Sequence, residues 1–137
     1  MEIEEVERFV HNKLMPILNE GVIKKKTCSF FQGDVFKKDN YFIEFQDYYL
    51  KSKRYRKIDE KIDIRELLGY ALLEEDVSLI IKKITLKLGD INNIYTLSRK
   101  ALDRIEKNHV TLFFFIDDIY FIEFRNFCLC FMIGNNE

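Results

Sequence analysis

"VTLFFFIDDIYFIEFRNFCLCFMIGNNE", residues Val110 to Glu137, is the stretch of sequence that decides the fold of this chain. It contains three short apolar segments, with Asp117-Asp118 between the first two and Asn126 between the last two. Each segment is rich in the aromatic and β-branched residues that strands favour, and Asp and Asn are typical of tight turns. The stretch therefore predicts a C-terminal three-stranded meander.

Both faces of these predicted strands are apolar. Leu112, Phe114 and Ile116 share one face of the first strand, and Phe113 and Phe115 share the other. An antiparallel sheet usually leaves one face in water, so a sheet that is apolar on both faces must be covered on both. Helices are expected to cover one face. The other face needs the N-terminal helix, the hairpin predicted upstream, or a partner, which includes a second copy of the chain.

Length and composition predict one domain over residues 1–137, long enough to bury its own core. The net charge of −1 gives no overall attraction to nucleic acid or to membranes. The acidic start, "MEIEEVERFV", is unlike a signal peptide, and the longest apolar run, Phe127 to Ile133, is too short to cross a bilayer. These features predict a cytoplasmic protein without membrane contact.

Upstream of residue 61, the sequence predicts a helix, a hairpin and a charged link. Apolar residues recur at helical spacing from Ile3, and Pro16 is expected to kink or end this helix, with Gly21 marking its stop. "CSFFQGDVF" and "YFIEFQDYY", joined by the turn-forming "KKDN", predict two paired strands. The link "LKSKRYRKIDEK" follows.

Three further helices are expected between residues 63 and 108. Asp63 and Glu66 have the spacing of a capping box, followed by an apolar stripe from Leu67 to Leu72. Residues 76–88 fit a helix better than a strand, although their second half also alternates, and Gly89-Asp90 ends this segment. The last helix has the apolar positions Ile94, Leu97, Ala101 and Ile105 and closes at Asn108. The predicted fold class is α+β: helices packed on an antiparallel sheet.

Histidines and cysteines give little sign of catalysis or of metal binding. The local sequence places no orienting group beside either His11 or His109. Cys128 and Cys130 would share one strand face, but no second cysteine pair or nearby histidine completes a tetrahedral metal site, and Cys28 would join them only from an adjacent strand. Buried, reduced thiols are the simpler interpretation. No catalytic residue, cofactor or metal ion is therefore expected.

Two groups of carboxylates are candidates for binding a basic partner. The first is Glu74, Glu75 and Asp76, and the second is Asp117, Asp118 and Glu123. Asp117-Asp118 is also explained by turn chemistry alone. A remote alternative is a metal-dependent hydrolase, in which acids on different strands would converge; its ligands would be Asp34, Glu44 and Glu123.

The segment "KSKRYRK" is the candidate for nucleic-acid binding, because its cations could contact phosphates and its tyrosine could stack on a base. The acidic residues that follow directly favour a solvated link instead. The cluster consists of Lys51, Lys53, Arg54, Tyr55, Arg56 and Lys57.

The ending "FCLCFMIGNNE", Phe127 to Glu137, runs from an apolar strand into a polar terminus. With the small size and a composition rich in Lys, Ile and Asn, it resembles small immunity proteins of bacterial polymorphic-toxin systems, including those of contact-dependent growth inhibition. The resemblance implies a cytoplasmic, non-enzymatic domain that binds and blocks one toxin domain, often a nuclease. It identifies no binding residue. The alternative is a small nucleic-acid-binding accessory protein, of phage or mobile-element type, that uses Lys51 to Lys57.

Overall fold

A five-stranded antiparallel sheet forms the middle layer of the protein. The computed structural model describes residues 2–108 and 115–135. The strands lie in the order β1-β5-β4-β3-β2, so β4 and β5 are in the interior of the sheet. The predicted α+β class, with helices packed on an antiparallel sheet, is confirmed. The strands are β1 (Ser29–Lys37), β2 (Ile58–Asp59), β3 (Asn93–Thr96), β4 (Phe115–Glu123) and β5 (Phe127–Asn135).

The C-terminal stretch differs from its prediction at Asp117-Asp118. The predicted turn there is wrong, because β4 continues through both residues. Ile116 pairs with Gly134 and Asp118 pairs with Ile133, so Asp117 is the extra residue of a β-bulge. Pairing with β5 on both sides of the bulge keeps the chain extended. The turn near Asn126 is confirmed, and residues 110–114, most of the first predicted strand, lie outside the described residues.

Helices cover both faces of the sheet, which explains why its strands are apolar on both sides. One face, called the aliphatic face here, packs against the first helix and against the two helices that follow β2; its strand residues include Leu129 and Phe131. The opposite, aromatic face packs against residues 41–50 and the last helix; its strand residues include Phe121, Cys128 and Cys130. Alternate residues of β5 therefore enter two separate cores.

The first helical rod runs beyond its predicted end. It consists of α1 (Ile3–Phe9), a π-helical segment (Val10–Leu14) and α2 (Met15–Lys25). Pro16 is tolerated because the π-helical turn just before it relaxes the local hydrogen-bond pattern. Gly21 does not stop the helix. A Cβ atom there would lie 2.7 Å from Leu72 Cδ2, so the glycine permits close packing. The helix ends at Lys25, and Lys26 follows it in the left-handed conformation.

Residues 41–50 are helical, so the second strand of the predicted hairpin is wrong. They form α3 (Tyr41–Phe45) and a π-helical segment (Gln46–Leu50). Tyr41, Phe45 and Tyr49, spaced by four residues, are buried on the aromatic face. Aromatic content favoured a strand, but packing of this face against the sheet overrides that preference. The first strand of the hairpin is confirmed as β1.

The later helices agree better with the sequence. The Asp63 side chain accepts a 2.9 Å hydrogen bond from the Glu66 backbone N–H, which confirms the cap. The helix over residues 76–88 is also confirmed. Ile94 is an exception: it lies in β3, paired with Ile122, and the last helix begins five residues later. These helices are α4 (Ile64–Gly69), α5 (Glu74–Leu88) and α6 (Arg99–Asn108).

The edge strand β1 is capped by side chains of the first helical rod. The Asn19 side chain donates to the Phe31 carbonyl at 3.1 Å and accepts from the Phe31 N–H at 2.8 Å. One amide thus replaces the peptide group of a missing neighbouring strand. His11 Nε2 lies 2.9 Å from the Gly33 carbonyl oxygen on the same edge.

Within residues 2–108 and 115–135, no helix combines the length and the apolar character needed to cross a membrane.

Candidate functional site

The first acidic cluster occupies the first turn of α5, where carboxylates interact favourably with the helix dipole. Glu74 and Glu75 are exposed. Lys24 of α2 lies 3.8 Å from Glu75 and 3.5 Å from Asp76, so it neutralises only part of the cluster. Asp76 Oδ2 is buried and has no hydrogen-bond partner among the described residues. The cluster therefore retains negative charge and one unsatisfied acceptor.

Exposed aliphatic side chains lie next to this cluster. Ile23 of α2 is 75% exposed and Leu79 of α5 is 48% exposed. Both line a groove of about 390 Å³ between the two helices, together with Glu20 and Asp76. Exposed aliphatic groups beside carboxylates combine apolar anchors with charge, as protein-binding surfaces do. This region is called the α2–α5 acidic surface; it comprises Glu20, Ile23, Lys24, Glu74, Glu75, Asp76 and Leu79.

The second acidic cluster is divided by the bulge in β4. Asp117 is exposed, whereas Asp118 is half-buried and accepts a 2.8 Å hydrogen bond from the Thr96 hydroxyl. The Arg99 guanidinium of α6 donates to the carbonyl oxygens of Ile116, at 3.2 Å, and Asp117, at 2.9 Å. These contacts hold the bulge in place. Asp118 therefore has a structural role, and Asp117 is the exposed carboxylate of the pair.

Glu123, the third member of that cluster, lies inside the protein and is only 6% exposed. Its carboxylate accepts a hydrogen bond from the Tyr41 hydroxyl. Lys57 Nζ lies 3.3 Å from Oε2, and Lys38 Nζ lies 3.6 Å from Oε1. Two cations and a phenol thus satisfy this buried carboxylate, as burial of a charge requires. Glu123 offers little surface to a partner.

Burial and hydrogen bonding change the pKa values of this network. Burial works to raise the pKa of Glu123, but the hydrogen bond from Tyr41 and the charges of Lys57 and Lys38 outweigh it, and the pKa lies below its usual value. The pKa of Tyr41 is raised far above the usual value, first by burial and then by its hydrogen bond to Glu123. Glu123 is therefore ionised and Tyr41 protonated at neutral pH.

The basic segment from Lys51 to Lys57 is partly engaged by the protein itself. Lys57 Nζ lies 4.5 Å from the ring centre of Tyr41 and 4.3 Å from that of Tyr95, in addition to its contact with Glu123. Lys53 is within 3.7 Å of Asp47.

The neighbours of these lysines are also in contact with one another. The guanidinium of Arg54 lies 5.1 Å from the ring centre of Tyr55 and donates a 3.1 Å hydrogen bond to its hydroxyl. That hydrogen bond is the main reason why the pKa of Tyr55 is lowered. Lys51 and Arg56 remain exposed. The segment is thus anchored at Lys57 rather than forming a continuous phosphate-binding strip.

The proposed metal ligands are not brought together. Glu44 is exposed on α3, Glu123 is bound to its lysines, and Asp34 accepts a 3.0 Å hydrogen bond from the Tyr49 hydroxyl. No group of three or more potential metal ligands occurs in the part of the chain that the structure describes. His11 lies 3.9 Å from Asp34, an orienting contact that the local sequence did not indicate, and His109 lies outside the described residues.

The three cysteines form no disulfide bond with one another, and they lie at opposite ends of the sheet. Cys128 and Cys130 are buried on the aromatic face, whereas Cys28 is exposed just before β1. Ser29 pairs with Asn135 and Phe36 pairs with Cys128, so β1 carries Cys28 away from the other two. Burial raises the pKa of Cys128 and of Cys130, so both remain protonated at neutral pH.

Sequence reasoning identified three carboxylates of the α2–α5 acidic surface, Glu74, Glu75 and Asp76, but neither Glu20 nor the apolar members. Leu79 gave a signal, because it breaks the polar face of an otherwise amphipathic helix. Ile23 gave none, since the helix was expected to stop at Gly21.

Comparison of the chain with protein-family models, with curated protein sequences and with solved structures finds no match.

Proposed function

We propose that this protein is a non-enzymatic immunity protein that binds a cognate bacterial toxin domain in the cytoplasm and neutralises it. The observation that carries the proposal is the α2–α5 acidic surface, where exposed Ile23 and Leu79 lie beside carboxylates that Lys24 only partly neutralises. Inhibition by binding needs a stable scaffold, a few apolar anchors and complementary charge, without chemistry of its own.

The charge of this surface indicates the kind of toxin. A toxin that cleaves RNA or DNA needs a basic active site, because its substrate is a polyanion. Carboxylates at the start of α5 would occupy the positions of substrate phosphates, with Glu74 and Glu75 exposed for this purpose. The two aliphatic side chains would supply the desolvated centre of the contact. Asp117 is a second, separate candidate contact.

The nucleic-acid-binding alternative has weaker support. It relies on Lys51 to Lys57, and Lys57 is held by Glu123 and two tyrosine rings while Lys53 is paired with Asp47. Binding through phosphates would weaken steeply with added salt, whereas a toxin contact with an apolar centre would weaken much less. A salt titration therefore separates the two functions.

The decisive experiment captures the partner with a tagged copy expressed from its own locus, followed by mass spectrometry. We expect one stoichiometric partner, a domain of a larger secreted protein that kills cells lacking this chain. Affinity is then measured for the wild type, for Glu75→Lys combined with Leu79→Ala, and for Asp117→Lys as the test of the second cluster. Glu44→Lys is the control, because Glu44 is exposed and lies outside both acidic clusters. Loss of an anchor and reversal of a nearby charge should weaken binding about 30-fold or more, corresponding to about 2 kcal/mol.

Two results would contradict the proposal. RNA or DNA in the eluate without a protein partner would replace it by nucleic-acid binding through Lys51 to Lys57. A captured toxin whose affinity is unchanged by charge reversal at both Glu75 and Asp117 would exclude the two acidic clusters as the contact surface. All four substituted positions are exposed, so the fold should be unchanged in every variant. Circular dichroism checks this.

A further inference from the structure

A second groove, between the first helical rod and the C-terminal half of α5, is lined by cations from both. Arg8 and Lys13 belong to the rod, and Lys83 and Lys87 to α5. The groove has a volume of about 600 Å³, within the usual size range of small-molecule sites. All four side chains are exposed. These four residues are called the basic groove.

The cations of the basic groove have no salt-bridge partner among the side chains that the structure describes. One carboxylate, Glu5, lines the groove. Lys83 and Lys87 are four residues apart on one helix, an arrangement in which like charges repel and destabilise the helix. Four cations against the single carboxylate of Glu5 give the groove a positive electrostatic potential, which attracts anions.

The rest of the lining favours an anion that carries an organic ring. Phe9 is half-buried in the groove and offers part of its ring, and Asn12 presents an exposed side-chain amide. Aromatic rings stack on nucleobases, and amides hydrogen-bond to their edges. Lys83 and Lys87 lie about one turn apart, about 6 Å along the helix axis, so both long side chains can reach the same polyphosphate chain.

The charges around the groove favour a compact ligand over a polymer. Glu2, at the N-cap, and Glu4 lie at the start of the first helical rod. Glu74, Glu75 and Asp76 lie at the other end of α5. A nucleic-acid strand leaving the groove in either direction would meet these carboxylates and be repelled. We propose that the basic groove binds a nucleoside polyphosphate, with the phosphate chain on Arg8, Lys13, Lys83 and Lys87 and the ring beside Phe9 and Asn12.

Isothermal titration calorimetry in low salt without magnesium tests this site directly. The probes are a nucleoside triphosphate, inorganic tripolyphosphate and a single-stranded oligonucleotide of ten residues. We expect saturable binding at one site per chain, with the nucleoside triphosphate tightest because it adds the ring contact. Equal affinity for tripolyphosphate would overturn the nucleoside assignment. Tightest binding of the oligonucleotide would replace the proposal by a nucleic-acid site.

Variants then locate the site. Lys83→Gln combined with Lys87→Gln should weaken nucleoside triphosphate binding about 10-fold or more and reduce the salt dependence of binding. Lys82→Gln is the matched control, since Lys82 is exposed on the same helix but does not line the groove. Unchanged binding in the double variant, or an equal loss in the control, would overturn the proposal.

Stability without ligand provides an independent measurement. Removing two repelling cations should leave the melting temperature of the double variant equal to or above that of the wild type in low salt. Adding the nucleoside triphosphate should raise the melting temperature of the wild type and have much less effect on the double variant. A double variant that is less stable without ligand would mean that the lysines have a structural role, contradicting the proposal.

Discussion

The two faces of the sheet are built from alternate residues of the same strands, yet different interactions stabilise them. The aliphatic face packs Leu129 and Ile133 of β5 against Val, Leu and Ile side chains of the first helical rod, α4 and α5. The aromatic face packs Phe121 of β4 against Phe45 at a ring-centre distance of 4.8 Å, in an edge-to-face arrangement. It also contains the carboxylate of Glu123 and the phenol of Tyr41.

Small strand residues make room for that second core. Cys128 and Cys130, both buried, alternate with Leu129 and Phe131, so the aromatic face of β5 carries smaller side chains than the aliphatic face does. Rings from residues 41–50 fill the space above the two thiols. Both faces therefore depend on burial of apolar surface, and the aromatic face adds more ring contacts around one residue and a satisfied buried charge. The difference predicts distinct responses to mutation and to pH.

Truncating a central phenylalanine on each face should give the largest effects. Phe121→Ala and Phe131→Ala each empty a fully buried site and should lower the free energy of unfolding by about 3–5 kcal/mol. Phe121 contacts the rings of Tyr41, Phe42 and Phe45, whereas Phe31 is the ring neighbour described for Phe131.

Phe121→Ala should therefore be the more damaging substitution by about 1 kcal/mol, because ring pairs contribute beyond the area they bury. Urea denaturation of both variants measures the difference. Equal losses would mean that the additional ring contacts of Phe121 contribute nothing to stability.

Glu123→Gln should show that the aromatic face makes a contribution to stability that depends on pH. Removing the charge leaves Lys57 and Lys38 without their carboxylate partner. The free energy of unfolding at pH 7 should fall by about 3 kcal/mol, at the low end for a broken buried ion pair, because both lysines are partly exposed. The folded-state pKa of Glu123 lies below its unfolded value, so its stabilising contribution is present above the unfolded pKa and is lost as the pH falls through the folded pKa.

Urea denaturation at pH 7 and pH 3 should therefore show a large gap between the wild type and Glu123→Gln that narrows in acid. Asp117→Asn, at an exposed position of the same strand, is the control and should stay close to the wild type at pH 7. A gap that is the same at both pH values would exclude the linkage.

Asn19→Ala should have a smaller effect, which is specific to the edge beside the aliphatic face. It removes both hydrogen bonds to Phe31 and should cost about 1–2 kcal/mol. It also exposes one N–H and one C=O of β1 to pairing with another chain. Asn12→Ala, at an exposed position of the same rod, should change stability by less than about 0.5 kcal/mol. Calorimetry measures the loss of stability, and sedimentation at increasing protein concentration measures association through the strand edge. An Asn19→Ala variant that stays monomeric and keeps its stability would contradict the role of this cap.

The predictions that succeeded depended on local signals. The Asp63 cap, the helix at residues 76–88 and the first strand of the hairpin each have a pattern complete within a few residues. The errors had nonlocal causes. Asp117 is a residue type typical of turns, but pairing of β4 with β5 on both sides places it in a β-bulge. Residues 41–50 have the aromatic content of a strand, but they form a helical segment that packs its aromatic side chains against the sheet.

The candidate sites divide in the same way. The carboxylates of α5 were visible in the sequence because they are consecutive. The basic groove was not, because Arg8 and Lys13 are separated by some seventy residues from Lys83 and Lys87.

The sequence by itself determined the α+β class and the requirement for cover on both faces of the sheet. Strand periodicity and apolar composition contain that information, since alternate residues must point in opposite directions. Only the tertiary structure decided which segments supply the cover, and that Glu123 is an internal ion-pair partner rather than a surface carboxylate. These features depend on contacts between residues that are distant in the sequence. The free energy of a buried charge or of an exposed side chain is set by its neighbours in space.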